Sequence, residues 1–573
     1  MLYNIEKIGE KDMTKKWQLY ENNDEQIKKI SEEFNINKLL ASILINREIK
    51  EEDIEIFLKP TRKNFHNPFL MPDMGIAVDR ILQAIEKKEK IIIYGDYDVD
   101  GITSITVLKS FLKDIGVEAS EYIPNRLEEG YGLNNAAIDK IAQEGYDLMI
   151  TVDCGISGIK EIEYSKQLGI DTIVTDHHEV GDEIPNAVAV VDAKRKDNKY
   201  PCRHLAGVGV AFKLIQALSI KLNMKEEAYL KYLDIVCIGT ISDIVPLIDE
   251  NRVITKLGLM LVKQTKNMGL KSLLMSSGYR NIDSSSISFG IAPRINASGR
   301  MGCANDALEL FLTNDIYEVN RLTKKLNEYN KIRQDTEKNI YNEAVEKIEN
   351  KKLNENNVIV VGGQNWHHGV IGIVSSKITD LYFKPSILLC YEGELAKGSG
   401  RSIPGFDLHE ALMKSQNLIE KFGGHSMAIG ITIKKNNLNE FSKKIEEIAI
   451  ADDIKKIKPI IKIDAKIDLD EINRDIVESL KQLEPFGEGN KMPMFLFKNL
   501  KINSIRALSE GKHIKMALKQ NNSIIDSIGF NLGNLSEEYR IGDRIDIVGT
   551  LEINTFNGVD NLQINIKDVM RSI

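Results

Sequence analysis

The sequence predicts an α/β protein of several domains: a mainly parallel sheet with helices, a long connector helix, a second α/β domain and a C-terminal all-β barrel. Three observations predict this architecture. Helix and strand patterns alternate between about residues 75 and 245, a charged helical run follows residue 305, and short β-rich segments separated by turns fill residues 460–573. A length of 573 residues also exceeds one ordinary core and by itself suggests about three or four domains.

Composition excludes several classes of protein. A hydrophobic content of 42% and a charged content of 28% are typical of an ordinary globular protein. No apolar run reaches the roughly 18 residues of a membrane span, and the N-terminus has no signal-peptide pattern, so we expect a cytoplasmic location. The five scattered cysteines include no CxxC pair, which argues against a disulfide framework or a zinc site.

The net charge of -8 bears on nucleic-acid binding. A protein that coats duplex DNA is usually basic overall. Any nucleic-acid site in this chain is therefore expected to be a local groove.

Residues 1–60 are predicted to form an N-terminal helical extension. The segments EEFNINKLLASILINREI and EEDIEIFLKP have helical patterns, and Pro60 ends the second one. The sequence gives this extension no function.

In the alternating region, acidic residues follow the candidate strands. The strand IIIYG is short, apolar and β-branched, and it is followed at once by acids on alternate positions. Ligands of parallel sheets gather beyond the carboxyl ends of the strands, so these side chains are expected to converge. The candidate ligands that follow apolar runs are Asp96, Asp98, Asp100, Asp153, Asp176, His177, His178, Asp192 and Asp243.

The chemistry of this set favours divalent metal ions. Carboxylates this close repel one another and resist ionisation unless a cation compensates them. A dense array of oxygens suits Mg²⁺ or Mn²⁺ better than zinc. For one DxDxD segment, a solvated acidic turn is an equally good interpretation, but five acid-bearing segments with a DHH among them favour a metal site.

These motifs resemble a known family. GDYDVDG, DCG, DHH and GTISD, in this order, resemble the four motifs of the DHH phosphoesterase superfamily. The form GDYDVDGITS resembles the RecJ branch, whose members are exonucleases that degrade single-stranded DNA from 5′ to 3′. Later segments extend the resemblance over nearly the whole chain.

The resemblance implies a pair of Mn²⁺ or Mg²⁺ ions. Asp153 would bridge them, and Asp176 and His178 would orient ligands or contact the scissile phosphate. Tyr94 stands where related branches carry a metal-binding His, so the division of ligands between the ions stays open. The implied ligands are Asp96, Asp98, Asp100, Asp153, His177 and Asp243, and the implied catalytic residues are Asp98, Asp100, Asp153, His177, His178 and Asp243.

A second group of candidates would bind substrate phosphate. Arg294, Asn296 and Arg300 lie in FGIAPRINASGRMGCA, which is predicted to be a loop with few apolar residues. Arginine forks bind phosphate in a bidentate manner, and the resemblance implies this role, although a surface loop with ordinary salt bridges is the alternative. The glycines of LAGVGV are expected to permit close helix packing rather than to bind a nucleotide.

The run over residues 305–352 is predicted to be helical, with charges on most faces, as in a connector between domains. A second α/β unit follows, in which WHHGVIGIVSSKI, SGRS and GGHSMAIG resemble the DHHA1 domain. By resemblance, Ser399 and Arg401 together with Arg126 would anchor the terminal 5′ phosphate, and His425 would approach the substrate. His367 and His368 could instead cap a helix that begins near Gly369.

The last segment has the strand spacing of a barrel and resembles the OB-fold domain of the same enzymes. OB barrels bind single strands through a basic groove and stacking aromatic side chains, but a barrel that only braces the catalytic core is the alternative. The candidates for strand binding are Lys501, Arg506, Lys512, His513, Lys515, Phe530, Arg544 and Phe556.

Together these patterns predict a metal-dependent exonuclease that releases mononucleotides from the 5′ end of single-stranded DNA in repair and recombination. The rivals are a DHH enzyme acting on short oligoribonucleotides, cyclic dinucleotides or pyrophosphate, and a non-catalytic single-strand-binding scaffold. A helicase and a single-strand-binding protein are the partners that the resemblance implies, and a monomer is expected. The predicted domains are residues 1–60 (helical extension), 61–315 (DHH), 316–354 (connector), 355–455 (DHHA1) and 456–573 (OB fold).

Overall fold

The computed structural model describes residues 2–5, 15–21, 23–126, 128–556 and 559–572. The chain forms two compact units. One consists of His66–Asp243 and Gly258–Ile457, and we call it the catalytic unit. The other contains the remaining described residues, and we call it the barrel unit. Within the described ranges, no helix combines the length and apolar character that a membrane crossing requires.

The extension at the start of the chain contains strands as well as the predicted helices. Two strands precede the helical patterns, so the prediction of a purely helical extension is wrong at Leu2–Ile5 and Lys16–Tyr20. The elements are β1 (Leu2–Ile5), β2 (Lys16–Tyr20), α1 (Asp24–Glu33), α2 (Lys38–Asn46) and α3 (Ile54–Leu58).

The first sheet of the catalytic unit is wholly parallel. Its strand order is β4-β3-β5-β6-β7, so the direction in which strands are added reverses between β3 and β5. A crevice forms at such a reversal, beyond the carboxyl ends of the strands. The elements are α4 (Met74–Lys87), β3 (Ile91–Gly95), α5 (Val99–Asp114), β4 (Ala119–Tyr122), α6 (Asn135–Gln143), β5 (Leu148–Val152), α7 (Ile159–Gln167), β6 (Asp171–Thr175) and β7 (Ala189–Val191).

Burial explains why these strands read as continuous apolar runs. All five residues of β3 and all five of β5 are buried, as expected when helices cover both faces of a parallel sheet. The helix α5 is buried over most of its length, from Val99 to Leu112. The surrounding core therefore fixes the position of the first turn of α5, just after the end of β3.

Helices follow β7 as far as residue 350. Two of them correct the sequence predictions: the apolar run before Asp243 is a helix (α10), and the expected RINASGR loop is also a helix (α14). The predicted connector is a single helix of 35 residues (α16). The elements are α8 (Gly207–Lys221), α9 (Glu227–Leu230), α10 (Leu233–Ser242), α11 (Asp249–Val262), α12 (Met268–Ser277), α13 (Ser284–Ser286), α14 (Ala292–Arg300), α15 (Ala304–Leu312) and α16 (Ile316–Asn350).

The second sheet of the catalytic unit is mixed. Its order is β11-β12-β10-β9-β8, in which only β8 and β9 are parallel. Strand β10 alternates half-buried and buried residues, so its odd-numbered side chains share the open face. The elements are β8 (Ile359–Gln364), α17 (His368–Tyr382), β9 (Ser386–Glu392), β10 (Leu395–Arg401), α18 (Leu408–Met413), β11 (Lys421–His425), β12 (Ala428–Lys434) and α19 (Leu438–Ala451).

In the barrel unit, the strands predicted from the sequence form a closed barrel. Strands β15, β16, β17, β19 and β18 pair in a ring, because β18 also pairs with β15. Phe556, one of the predicted stacking residues, has a side chain outside the described set. The elements are β13 (Ile460–Ile463), β14 (Ala465–Lys466), α20 (Arg474–Leu480), β15 (Phe495–Leu508), β16 (His513–Gln520), β17 (Ser523–Gly529), α21 (Leu535–Glu538), β18 (Arg544–Phe556) and β19 (Val559–Arg571).

The N-terminal extension is part of the barrel unit. Helices α2 and α3 share one apolar core with the barrel strands. Strand β2 pairs in parallel with β13, and Trp17 on β2 is fully buried, with its indole nitrogen donating to Asp568 at 2.8 Å. The extension therefore supplies core and sheet edge to the barrel.

A buried arginine ties a third segment of chain to this unit. The guanidinium of Arg252, which is 1% exposed, donates to the backbone carbonyls of Leu483, Gln482 and Glu484 at 3.0 to 3.1 Å and to that of Phe57. Replacing such a buried donor leaves several carbonyls without a partner, which is costly. These bonds hold the segment Ile244–Leu257 within the barrel unit.

Candidate active site

Acidic residues meet at the point where the parallel sheet reverses direction. Asp96 follows β3 and Asp153 follows β5, and both are buried. Asp98 caps the N-terminus of α5, where its Oδ1 accepts from the amides of Asp100 at 2.9 Å and Gly101 at 3.1 Å. The predicted convergence is confirmed for Asp96, Asp98 and Asp153, whereas Asp192 belongs to none of the ligand clusters and accepts from the Lys194 amide at 2.7 Å.

Backbone amides fix the orientation of Asp100. Its two carboxylate oxygens accept from the amides of Gly207 at 2.6 Å and Val208 at 2.8 Å, at the start of α8. A Cβ on Gly207 would lie 2.6 Å from Asp153 Oδ1, a distance that real Cβ atoms do not show. The glycine of LAGVGV thus allows a helix end to approach two of the acids, in line with the predicted packing role.

His177 points a ring nitrogen at three of these carboxylates. Its Nε2 lies 3.1 Å from Asp153 Oδ1, 3.6 Å from Asp243 Oδ2 and 3.7 Å from Asp100 Oδ2. The nitrogen is buried and has no hydrogen-bond partner among the described residues. Burial lowers the pKa of His177 to about 3, so the ring is neutral and can offer its lone pair to a cation.

The acids themselves carry strongly perturbed pKa values. Burial, followed by repulsion from neighbouring carboxylates, raises the pKa of Asp100 to about 7 and that of Asp243 to about 9. The same two causes hold the pKa values of Asp96 and Asp153 well above their usual range. A group of buried acids that resist ionisation is what a divalent cation would stabilise.

The donor set fits divalent metal ions. Asp96 Oδ1 and His177 Nε2 are buried atoms without a partner among the described residues, and both belong to clusters of possible ligands. Carboxylate oxygens with one imidazole match the preferences of Mn²⁺ and Mg²⁺. The clusters, within each of which the ligand atoms lie within 4.8 Å of one another, are Asp153/Asp176/His177/His178, Asp100/His177/Asp243 and Asp96/Asp98/Asp153.

Asp176 and His178 form a pair beside the clusters. Asp176 Oδ1 lies 2.7 Å from His178 Nδ1, and its Oδ2 accepts from the amide of Ile156 at 2.9 Å. Burial opposes the charged form of His178, but the hydrogen bond to Asp176 and the nearby acids outweigh it and raise its pKa to about 9. His178 is therefore a cation near neutral pH, with the Tyr131 hydroxyl 3.3 Å from its ring.

These groups surround a cavity of about 320 Å³, which we call the acidic cavity. The helix α14 contributes Asn296 and Arg300 to its wall, so the predicted residues lie there even though the predicted loop is a helix. Close packing of α14 explains the glycine at 299, because a Cβ there would lie 2.4 Å from the Tyr97 carbonyl oxygen. The lining residues are Asp96, Tyr97, Asp98, Arg126, Tyr131, Asp153, His178, Asp243, Asn296 and Arg300.

Arg294, by contrast, lies outside the residues that line this cavity. Its guanidinium donates to Asn327 at 2.7 Å and to the Gly290 carbonyl at 2.5 Å. These bonds tie α14 to α16 and to the π-helical segment Ile287–Ile291 that precedes α14. The structure thus separates Arg294 from Asn296 and Arg300, which the sequence analysis groups together.

A second cavity of about 700 Å³ adjoins the first, and we call it the basic pocket. Tyr97, Arg126 and Arg300 line both cavities. The predicted phosphate ligands Ser399 and Arg401 lie here, and Arg401 donates to Ser399 Oγ at 3.0 Å. The other lining residues are Glu128, Glu129, Gly130, His368, Gly369, Gly372, Ile373, Ser376, Lys397, Gly398 and Lys421.

Three arginines of the basic pocket lie close enough to affect one another's charge. In the part of the chain that the structure describes, Arg126, Arg300 and Arg401 form no ion pair with a carboxylate. Burial, and next the charge of Arg126, lowers the pKa of Arg300 to about 10 and also lowers that of Arg401. Arginines that crowd together without an acid favour an anionic ligand.

Glycines keep the pocket open. A Cβ on Gly372 would lie 3.1 Å from Ser399 Oγ and 3.2 Å from Arg401 Nη2. The carbonyl of Gly369 accepts from Arg300 at 2.7 Å and so links α14 to the start of α17. His367 caps α17 by accepting from the Gly369 amide at 3.1 Å, which confirms the capping interpretation for that histidine.

Two predicted residues have other surroundings. His425 ends β11, is exposed and lines neither cavity. The Tyr94 hydroxyl donates to the Gly132 carbonyl at 2.9 Å, while its ring stacks on Tyr122. Tyr94 is therefore held by its own hydrogen bond, and Asp96 occupies the ligand cluster instead.

Among the residues that line the two cavities, the sequence analysis did not single out Tyr97, Lys397 or Lys421. Tyr97 lies inside GDYDVDG, and its ring stacks under the Arg126 guanidinium at 5.0 Å, so the motif itself contained the signal. Lys397 lies two residues before Ser399 on the same face of β10, which the alternation of the strand could have indicated.

Three family models match the chain. They are the DHH family, N-terminal domain, over residues 90–240, the DHHA1 domain over 355–451 and the RecJ OB domain over 463–568. The fold class predicted from the sequence is thereby confirmed.

Curated relatives and solved structures agree with these matches. The Bacillus subtilis single-stranded-DNA-specific exonuclease RecJ is 38% identical over 96% of this chain and 70% of its own length. The Haemophilus influenzae protein of the same name is 33% identical over 88% of this chain and 92% of its own. The crystal structure of RecJ from Thermus thermophilus in complex with Mn²⁺ superposes with a TM-score of 0.85 at 27% identity, covering 97% of this chain and 80% of that one.

Proposed function

Because this chain belongs to the RecJ family of single-stranded-DNA-specific exonucleases, we propose that it hydrolyses single-stranded DNA from the 5′ end and releases mononucleotides. The observation that carries the proposal is the adjacency of the two cavities. One is lined by acids and the other by arginines that form no ion pair with a described carboxylate, and they share Tyr97, Arg126 and Arg300. A terminal phosphate in the basic pocket would place the next phosphate of the strand near the acids.

The acidic cavity is proposed to hold two divalent ions, Mn²⁺ or Mg²⁺. When bound, such ions supply an activated water and stabilise the charge of the leaving oxygen. Asp153 is proposed as the shared ligand, since it belongs to two of the ligand clusters and lies 3.1 Å from His177 Nε2. The proposed ligands are Asp96, Asp98, Asp100, Asp153, His177 and Asp243.

The residues around the ions are proposed to hold the scissile phosphate. His178, a cation near neutral pH, lines the acidic cavity together with Asn296 and Arg300. Positive charges placed where negative charge develops stabilise a transition state without having to reorganise. Asp176 is a positioning residue in this scheme, because it acts through its hydrogen bond to His178.

Directionality is proposed to come from the basic pocket. Arg126, Ser399 and Arg401 would bind the 5′ phosphate, since forked guanidinium groups and a hydroxyl suit its oxygens. Arg294 is left out of this set because its donors are occupied by Asn327 and Gly290. A role of His425 in contacting substrate stays a prediction.

The barrel is proposed to bind the strand. Its family model is the OB domain of RecJ, and OB barrels hold single strands by stacking and by basic grooves. Phe530 is 49% exposed and packs edge-on against His513, so this pair is a candidate stacking surface.

The remaining expectations are part of the same proposal. The domain limits at residues 60, 315, 354 and 455 and a monomeric state stay predictions from the sequence. A helicase and a single-strand-binding protein, as partners in repair and recombination, are proposed from the resemblance. A cytoplasmic location is proposed because the single-stranded DNA of repair intermediates is found there.

Product mapping with Mn²⁺ tests the function. The substrates are a single-stranded DNA labelled at its 3′ end, the matching blunt duplex and an RNA of the same sequence. We expect a ladder that shortens from the 5′ end on the single-stranded DNA alone. Turnover of short RNA or a cyclic dinucleotide without DNA cleavage would contradict the proposal and favour the small-substrate rival.

A further inference from the structure

The basic pocket extends past the arginines, toward two lysines and a histidine. From this extension we propose that the pocket also accepts a 5′-triphosphorylated strand end, with its β and γ phosphates near Lys397, Lys421 and His368. The inference rests on the proposed exonuclease function and deepens it by naming a further class of substrate end. The volume of about 700 Å³ leaves room beyond a single terminal phosphate.

Strand β10 carries the donors in a line. Lys397, Ser399 and Arg401 alternate with buried residues, so all three project from the same face. Successive positions on one face are about 6.7 Å apart along a strand. A chain of phosphates that starts at Arg401 and Ser399 and runs along β10 would therefore reach Lys397.

The sheet register brings the second lysine to the same place. Thr432 on β12 pairs with Lys397 on β10 and also with Lys421 on β11. Residues directly opposite in antiparallel strands point to the same side of a sheet. The two lysines thus flank Thr432 on the face that carries Ser399 and Arg401.

The charges of this extension favour an anion. Lys421 forms no ion pair within the described ranges. Lys397 Nζ lies 3.0 Å from Glu392 Oε2, and His368 Nε2 lies 3.7 Å from Glu392 Oε1. Both members of the Lys397–Glu392 pair are more than 40% exposed, and exposed pairs of this kind are weak, so a phosphate can displace the carboxylate.

One acid of the pocket, Glu129, is held by hydrogen bonds of its own. Glu129 accepts from the Asn125 amide and the Tyr122 hydroxyl at 2.8 Å and from Asn134 at 3.0 Å. Glu128 also lines the pocket, but Glu392 is the carboxylate that lies 3.0 Å from Lys397 and 3.7 Å from His368, and it competes with a phosphate for both.

The reaction on such an end is the same hydrolysis. Water adds to the phosphorus of the first internucleotide link, and the bond from that phosphorus to the 3′ oxygen breaks. The leaving 3′ oxygen takes a proton. The products are a nucleoside 5′-triphosphate with a free 3′ hydroxyl and a shortened strand with a 5′ monophosphate.

The test compares one 3′-labelled DNA with a 5′ monophosphate, a 5′ triphosphate or a 5′ hydroxyl, in Mn²⁺. We expect the triphosphate strand to be degraded at a rate comparable with the monophosphate strand, with a deoxynucleoside triphosphate as the first product. Lys397→Ala and Lys421→Ala should each lower the ratio of triphosphate to monophosphate kcat/KM about tenfold. Lys434→Ala, on the same sheet but outside the pocket lining, should leave that ratio unchanged.

Glu392→Gln separates a phosphate role from a folding effect. Removing this carboxylate frees Lys397 and His368, so the ratio should rise above that of the parent protein, a gain that a damaged fold would not produce. Release of pyrophosphate, or a triphosphate strand that resists while the monophosphate strand is cut, would overturn the inference. If the monophosphate strand also resists, the proposed exonuclease function itself fails.

Discussion

The acidic cavity and the basic pocket are the two halves of the candidate active site, and they carry opposite charges. Each gathers charges of one sign with too few partners: the acidic cavity holds carboxylates with raised pKa values, and the basic pocket holds arginines with lowered ones. Each therefore favours a ligand of opposite charge. Cationic metal ions match the acidic cavity, and the anionic end of a DNA strand matches the basic pocket.

The two halves are built differently. The acids follow the ends of parallel strands and are fixed by backbone amides, as Asp100 is by Gly207 and Val208. The cations of the basic pocket project from the face of a mixed sheet and from neighbouring helices, as Arg401 and Arg300 do. Loops at strand ends give fixed ligands, whereas strand faces give a row of donors that can serve ligands of different length.

Removing one shared acid should break the acidic half most severely. Asp153→Asn keeps the shape and removes a charge, and we expect the rate of DNA cleavage to fall by about 10³-fold or more. Because Asp153 has a pKa held well above its usual range, the variant should also melt at a higher temperature than the parent in chelator.

Cleavage assays in Mn²⁺ and thermal melts in chelator measure both effects. Asp182→Asn, an exposed acid outside both cavities, is the matched control and should change neither. Retained activity in Asp153→Asn would rule out the proposed ligand set.

The basic half should break through substrate preference rather than chemistry. Arg401→Ala should lower the preference for a 5′ phosphate over a 5′ hydroxyl by about 10- to 100-fold, because a half-buried charged hydrogen-bond donor is lost. Arg401→Lys should recover only part of it, since lysine lacks the fork. Initial rates on the two substrates give the ratio.

The matched control for this change is Arg321→Ala, an exposed arginine on α16 that pairs with Glu318. It should leave the ratio intact. An unchanged ratio in Arg401→Ala would mean that the 5′ phosphate binds elsewhere.

The acids of the acidic cavity should make the stability of the metal-free protein depend on pH. With chelator present, the melting temperature should fall from about pH 5 to about pH 9. Burial raises the folded pKa of Asp100 to about 7 and that of Asp243 to about 9, above the unfolded values. The folded state thus keeps protons that the unfolded state has released, and this stabilisation is lost as pH rises through the folded pKa values.

Mn²⁺ binds deprotonated carboxylates, so the gain in melting temperature on adding it should grow over the same range. Differential scanning calorimetry with chelator or Mn²⁺ measures both trends. Asp243→Asn should flatten the slope, and an equally steep slope in that variant would contradict the assignment.

The smallest effect is expected at Gly372, which lines the basic pocket and which we call the pocket floor. Gly372→Ala would place a Cβ 3.1 Å from Ser399 Oγ and 3.2 Å from Arg401 Nη2. The displacement is a few tenths of an ångström, so the 5′-phosphate preference should fall only about two- to fivefold. Gly75→Ala, where a new Cβ meets nothing within 4 Å, is the control. A variant of Gly372 with the full preference would show that the pocket floor is not in use.

The residues of the acidic cavity could be predicted from the sequence more fully than those of the basic pocket, because the two halves are built from different parts of a sheet. Asp96 and Asp153 were predictable because each follows the end of an apolar run that indicates a buried strand. The carboxyl ends of parallel strands lie at one edge of the sheet, so the residues that follow them come together. The joint position of Lys397 and Lys421 was not, because it depends on the register of both strands with Thr432. The register between β10 and β12, which are separated by α18 and β11, leaves no local pattern in the sequence.

Two elements were wrongly assigned for reasons of tertiary packing. The segment containing Arg294 and Gly299 has the small and polar residues of a loop, yet contacts with Asn327 and with the Tyr97 backbone favour a helix there. Strand β2 is short and half-buried, and its parallel partner lies more than 400 residues later. Local propensity is a weak guide where such long-range contacts decide.

The pairing of β2 with β13 also sets an order of events during synthesis. Trp17 leaves the ribosome early, but the parallel edge that covers it, Ile460–Ile463, emerges after the whole catalytic unit. The chain has only two tryptophans, and the other, Trp366, is buried in the second sheet region of the catalytic unit. Each unit thus carries its own fluorescent reporter, and single-tryptophan variants can time the completion of one unit against the other.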